Sequence, residues 1–125
     1  MPHLPYSIEL HDSRFASIRS GASAVTIALS PAYLHKDGKG WRQEAELIIA
    51  GAVVGSHHDE LPTRIADGTL KTPGGPYHNL LMLPLRESGL VKLEIELESG
   101  TVIRLEGESV EVRLLGEPKF VEDVA

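Results

Sequence analysis

The most regular pattern in this chain is an alternation of apolar and charged residues near the C-terminus. In "LVKLEIELESG", Val91, Leu93, Ile95 and Leu97 alternate with Lys92, Glu94, Glu96 and Glu98. That period of two sends successive side chains to opposite faces of a strand. After a Ser-Gly turn, "TVIRLEGESVEVRLLGE" reads as two further strands. The turn fixes a register. A two-residue loop at Ser99-Gly100 would set Ile95 against Arg104 and Glu94 against Leu105, mixing apolar and charged groups on one face. A three-residue loop, Glu98-Ser99-Gly100, with Gly100 left-handed in a bulged turn, pairs Ile95 with Ile103 and Leu93 with Leu105 on one face. The other face then pairs Glu94 with Arg104 and Lys92 with Glu106. This second register is the expected one, because a one-residue slip would carry a whole apolar set into water.

The rest of the chain also reads as strands and turns. "SAVTIALS" alternates Val25, Ile27 and Leu29 with Ala24, Thr26 and Ala28, a strand. "SPAYLHKDGKG" offers Ser30 as an N-cap, Pro31 at a first helical position and Gly38 and Gly40 as stops, predicting a helical turn or two as a connector. "WRQEAELIIAGAVVG" alternates from Trp41 and then turns apolar on both faces, a strand entering the core with a bulge at Gly51. "RIADGTLK" carries Asp67-Gly68 between apolar ends, a hairpin signal. "TPGGPY" reads as a loop. "NLLMLPL", Asn79 to Leu85, reads as an uncharged strand ended by Pro84, with Leu81 and Leu83 facing one layer and Leu80 and Met82 another. About eight short strands with so little helix imply an all-β fold: an antiparallel β-sandwich, a jelly-roll-like arrangement or a partly open barrel.

Composition narrows the function classes. The 125 residues suit one domain spanning 1–125. There is no cysteine, which removes disulfides, thiolate metal sites and thiol nucleophiles. Eighteen acidic against twelve basic residues give a formal charge of −6, and the scattered basic residues form no stripe for phosphate backbones, so nucleic acid is not an expected partner. "MPHLPYSIEL" lacks a basic segment followed by an apolar one, and "LIIAGAVVG" is too short to span a bilayer. A cytoplasmic protein without a membrane span is the expectation.

Several stretches carry candidate chemistry. "GSHHDELP" places His57 and Asp59 on one face of an extended segment and His58 on the other, so it supplies at most two metal ligands. A third would come from "LHDS" (His11, Asp12), "YLHKD" (His35, Asp37) or "PYHN" (His78). The candidate metal set is therefore His11, His57, Asp59 and His78, set against a polar loop whose side chains satisfy local backbone donors. "LHDSR" reads as a polar turn in which Asp12 and Ser13 cap backbone amides. Trp41, Tyr33 and Tyr77 are few enough to read as core and rim residues. "TPGGP" lacks the Lys and following helix of a phosphate loop. Glu94, Glu96, Glu98 and Glu106, with Glu108 and Glu111 nearby, mostly share an outer sheet face. They form a solvated surface or an acidic docking site for a basic protein.

"LHDSR", "PAYLH", "GWRQEAEL" and "GEPKFVED" together resemble a group of small all-β bacterial proteins of unknown function. The His-Asp-Ser opening is also similar to immunity-type proteins of polymorphic toxin systems. The resemblance implies an all-β fold and, for immunity proteins, binding to a toxin; no catalytic residue carries over. The expectation is a protein-binding module that is not an enzyme and holds no cofactor, using its glutamate-rich face. The alternative is a small jelly-roll metal-dependent enzyme or sugar-type binder using His11, His57, Asp59 and His78. The Asn79–Leu85 segment, apolar on both faces, is a candidate homodimer contact.

Overall fold

A computed structural model describes residues 6–54 and 61–123 of the chain. Among the described residues, nine strands form one antiparallel sheet: β1 (Ser7–Glu9), β2 (Arg14–Ser20), β3 (Ala24–Lys36), β4 (Lys39–Ala50), β5 (Thr63–Thr72), β6 (Gly75–His78), β7 (Leu80–Met82), β8 (Arg86–Leu97) and β9 (Val102–Asp123). The described residues hold one helical element, a 3₁₀ turn at Leu10–Asp12, and no helix among them is long and apolar enough to cross a membrane. The sheet runs β2-β5-β8-β9-β4-β3, and β3 pairs back onto β2. The result is a six-stranded ring, the partly open barrel among the expected all-β forms. Its closure between β2 and β5 consists of two residue pairs, Arg14↔Arg64 and Phe15↔Thr63.

The inward positions follow from the alternation. Val25, Ile27 and Leu29 on β3, Ala45, Leu47 and Ile49 on β4, Leu93, Ile95 and Leu97 on β8, and Ile103 and Leu105 on β9 are buried with Phe15 and Leu70 in one core. Filling a small barrel with side chains is the general solution at this strand number. The β8–β9 hairpin has the expected register, with Ile95↔Ile103, Leu93↔Leu105, Glu94↔Arg104 and Lys92↔Glu106. Gly100 has φ +97.

Several expectations are corrected. The helical connector at Ser30 is absent: β3 runs on through "SPAYLHK", with a register shift between Leu29 and Ala32. Ser30 and Pro31 sit in that irregularity, where the missing proline N–H costs no ladder bond, and Ala32 and Leu34 resume the buried alternation. The chain reverses instead at Asp37 (φ 55) and Gly38 (φ 72), two consecutive left-handed residues as in a type I′ hairpin.

Asp67-Gly68 is no turn. It lies inside β5, beside a register shift between Ile65 and Asp67, and Gly68 is needed because a Cβ there would stand 2.6 Å from Leu10 Cδ1. Gly51 (φ +72) is not a bulge within β4 but follows the strand's end at Ala50 and donates its N–H to Ser23 O at 2.9 Å.

The two strands expected after Gly100 are one, β9. It passes through "EGES" because Gly107 lets Ala50 O and Ile49 Cγ2 approach to within 2.5 Å of where its Cβ would be. The "TPGGPY" loop is shorter than expected, because Gly75, Pro76 and Tyr77 belong to β6 and the turn is Pro73-Gly74. Glu87 holds it by accepting hydrogen bonds from Thr72 Oγ1 (2.8 Å), Gly74 N (2.8 Å) and Tyr77 Oη (3.0 Å).

Outside the ring, the second half of β3 pairs with β1, and β1 with β7. β7 is shorter than expected and its two faces differ. Leu81 is buried, whereas Leu80 and Met82 are 41% and 43% exposed. Among the described residues, no second layer covers that face.

Candidate functional site

Cross-strand pairing builds one polar cluster on the outer face of this flank. Glu9↔Tyr33 and Ser7↔His35 are partners between β1 and β3. Period-two geometry therefore brings Glu9, Tyr33 and His35 to a single face. The 3₁₀ turn that follows β1 buries Leu10 and presents His11 and Asp12 beside Glu9. Ser13, 1% exposed, donates its hydroxyl to Glu9 O at 2.8 Å and accepts the Tyr33 N–H at 3.0 Å. It caps backbone, as expected of "LHDSR".

Glu9 sits between two imidazoles. Its Oε1 is 2.9 Å from His11 Nε2, and its Oε2 contacts His35 Nε2. Asp12 Oδ2 lies 3.4 Å from the same His11 nitrogen. The Tyr33 and His35 rings meet edge to face at 5.2 Å, and Tyr33 donates its hydroxyl to Glu122 Oε1 at 2.7 Å. Burial pushes the Tyr33 phenol up to about 12, helped by the hydrogen bond to Glu122 and by the negative fields of Glu122, Asp12 and Glu9.

Asn79 holds the far side. Left-handed at φ 64, it joins β6 to β7, accepts the Leu10 N–H on its carbonyl at 2.7 Å and donates its own N–H to Gly68 O at 2.7 Å. Its Oδ1 accepts the His11 backbone N–H at 2.8 Å. With Oδ1 so committed, Nδ2 faces His11 Nδ1, which must then carry the lone pair. This network places the His11 proton on Nε2, pointing at Glu9.

The chemistry of the cluster follows from that assignment. Ligand atoms of Glu9, His11 and Asp12 lie within 4.8 Å of one another, close enough for one ion. The His11 nitrogen nearest the carboxylates is nevertheless a donor, so a metal would have to displace its proton and break the Asn79 clamp. The arrangement as it stands is a hydrogen-bonded network that fixes β1 and the 3₁₀ turn to β3 and β6.

Of the metal candidates, the structure puts His11 in this cluster. His78 instead meets Thr69 Oγ1 at 3.1 Å and lies 3.7 Å from Asp67. His57 and Asp59 lie outside the described residues. Glu9, Tyr33, Asn79 and Glu122 were missed as site residues. The i, i+2 spacing in "ELH" and "YLH" was the available signal, hidden in the second case by reading that segment as helical.

On the glutamate-rich strands, Glu94, Glu96, Glu98 and Glu106 are all exposed. The face is mixed in charge: Glu94 pairs with Arg104 at 3.0 Å, and Lys92 stands between Lys71 and Glu106 in the ladder. No protein-family model, curated protein or solved structure matches this chain.

Proposed function

We propose that this protein is a non-enzymatic protein-binding module whose docking face is the outer surface of β7, β1 and the second half of β3. One observation carries the reading: Leu80 and Met82 are 41% and 43% exposed on an edge strand, cross-strand from Glu9 and Ser7, beside the His11, Tyr33 and His35 rings. Apolar and aromatic groups surrounded by fixed charges have the anatomy of an interface centre and rim. The Glu9, His11 and Asn79 side chains already bond one another and the Tyr33 hydroxyl bonds Glu122, which suits a preorganised surface better than a reaction centre.

The partner class is a basic protein. Glu9, Asp12 and Glu122 lie at this face and the whole chain carries −6, so the field favours encounter with positive surfaces. The alternating cations Lys71, Lys92 and Arg104 break up the field of the Glu94–Glu106 face, which therefore ranks second as a docking surface.

Affinity capture from the native cell lysate tests the reading, with wild type, a Leu80→Lys/Met82→Lys variant and a Glu94→Gln/Glu96→Gln variant compared side by side. The expected result is a protein retained by wild type and by the glutamine variant, lost with the lysine variant and released by salt. Retention by the lysine variant, or capture of nothing by wild type, would overturn it.

A further inference from the structure

The ring closes at β2–β5, and there two arginines are direct cross-strand partners, Arg14↔Arg64. Both are exposed, and both line an open groove of about 700 Å³ with Asp12, Ser13, Pro62, Thr63, Glu98 and Ser99. Like charges directly opposite one another destabilise a strand pair. Among the other described arginines, Arg19, Arg86, Arg104 and Arg113 each have a carboxylate within 4.0 Å and Arg42 does not. Among the described residues, neither Arg14 nor Arg64 has one, although Asp12 and Glu98 line the same groove.

We infer that Arg14 and Arg64 form a binding site for the phosphoryl group of a small phosphomonoester. Two guanidinium forks present more donors than one carboxylate has oxygens, since each fork alone engages two acceptors. A phosphate monoester, dianionic with three terminal oxygens, accepts from both forks at once and cancels the repulsion between them. The groove falls within the usual range of small-ligand sites. Asp12 and Glu98 confine the anion to the arginine end, leaving the rest of the groove for the ester's uncharged part.

Thermal melting and titration calorimetry with inorganic phosphate test this, using sodium chloride at matched ionic strength as the background and succinate as the carboxylate arm. Wild type should gain stability from phosphate beyond the chloride control and bind it more tightly than succinate. Arg14→Gln and Arg64→Gln should each weaken phosphate binding by about tenfold or more, as loss of charge-assisted hydrogen bonds does. Arg14→Lys, which keeps the charge without the fork, should fall between. Without ligand, both glutamine variants should melt at or above wild type, because the repulsion is relieved. The proposal fails if wild type shows no phosphate-specific gain or if succinate binds equally well. It also fails if the variants respond to phosphate as wild type does, or if either glutamine variant melts below wild type.

Discussion

Leu10 occupies the space that a side chain at position 68 would need: its Cδ1 lies 2.6 Å from the ideal Cβ of Gly68. The 3₁₀ turn that presents His11 and Asp12 is thereby seated directly on β5. Gly68→Ala should cost about 1–3 kcal/mol through overpacking, measured by chemical denaturation. An unchanged midpoint would mean that Leu10 moves aside freely. Leu10→Ala combined with Gly68→Ala should cost less than the two single changes added together.

Gly100, left-handed at φ +97 with open space around its missing Cβ, closes the β8–β9 hairpin. Its N–H donates to Leu97 O and the Leu97 N–H to Thr101 O, both at 2.8 Å. Gly100→Ala should lower stability by about 1 kcal/mol from backbone strain alone, and Gly100→Asn by less, because asparagine tolerates the left-handed region. Equal costs for the two would argue against conformational strain as the cause.

Glu87 governs the acid limb of stability at the β5–β6 turn. The Thr72 hydroxyl, with help from Tyr77 and the Gly74 N–H and against the opposing pull of burial, holds its carboxyl below the ordinary 4.5. A carboxylate whose folded value is depressed contributes stability above its unfolded value, and that contribution is lost as pH falls through the folded value. Glu87→Gln should therefore flatten the loss of stability below pH 4.5. An unchanged acid limb would remove Glu87 from the account.

Tyr33 governs the alkaline limb. Its value is raised from 10.0 to about 12, so the protonated phenol's contribution is complete below pH 10 and disappears as pH rises towards 12. Tyr33→Phe should shallow the stability loss across that window and remove the last phenolate to appear in an ultraviolet titration. Tyr6 and Tyr77, also raised by burial, should remain visible in the variant.

The His11 tautomer yields a metal prediction. With Asn79 donating to Nδ1, chelator should leave the melting temperature unchanged and one equivalent of zinc should not raise it. A zinc-dependent rise that His11→Ala abolishes would show that the ion displaces the proton on Nε2.

The chain contains two Asp-Gly pairs that compete for the same turn signal, and they show what local sequence could decide. Asp37-Gly38 makes the turn and Asp67-Gly68 does not, because the second glycine answers to Leu10, fifty-eight positions away in sequence. The Glu98–Gly100 loop was legible because strict alternation on both flanking strands leaves one register that buries Ile95 and Ile103 together. Pro31 misled for a similar reason: its helix-start signal is local, whereas β3 is held by pairing with β4 on both sides of the irregularity. The cluster was the least legible part. Glu9 and His35 meet through cross-strand register, Glu122 joins through the Tyr33 hydroxyl and Asn79 reaches His11 from the β6–β7 junction, and "NLLMLPL" carries no mark that Leu81 alone of its first three leucine and methionine positions would be buried.

The two-pair junction between β2 and β5 determines the order in which the barrel comes apart. β4 is laddered to β9 from Lys39↔Asp123 to Ala50↔Ser109, so a fluctuation that parts those strands must break a long run of bonds, whereas the β2–β5 seam parts once the Arg14↔Arg64 and Phe15↔Thr63 pairs, the Ile65 N–H to Ser13 O bond and the Leu10 contact at Gly68 give way. Amide hydrogens beside this junction should therefore exchange through openings far smaller than global unfolding, with those of central β4 the slowest. The hoop opens into a curled sheet before its central strands part, and whatever bridges Arg14 and Arg64 acts as the clasp.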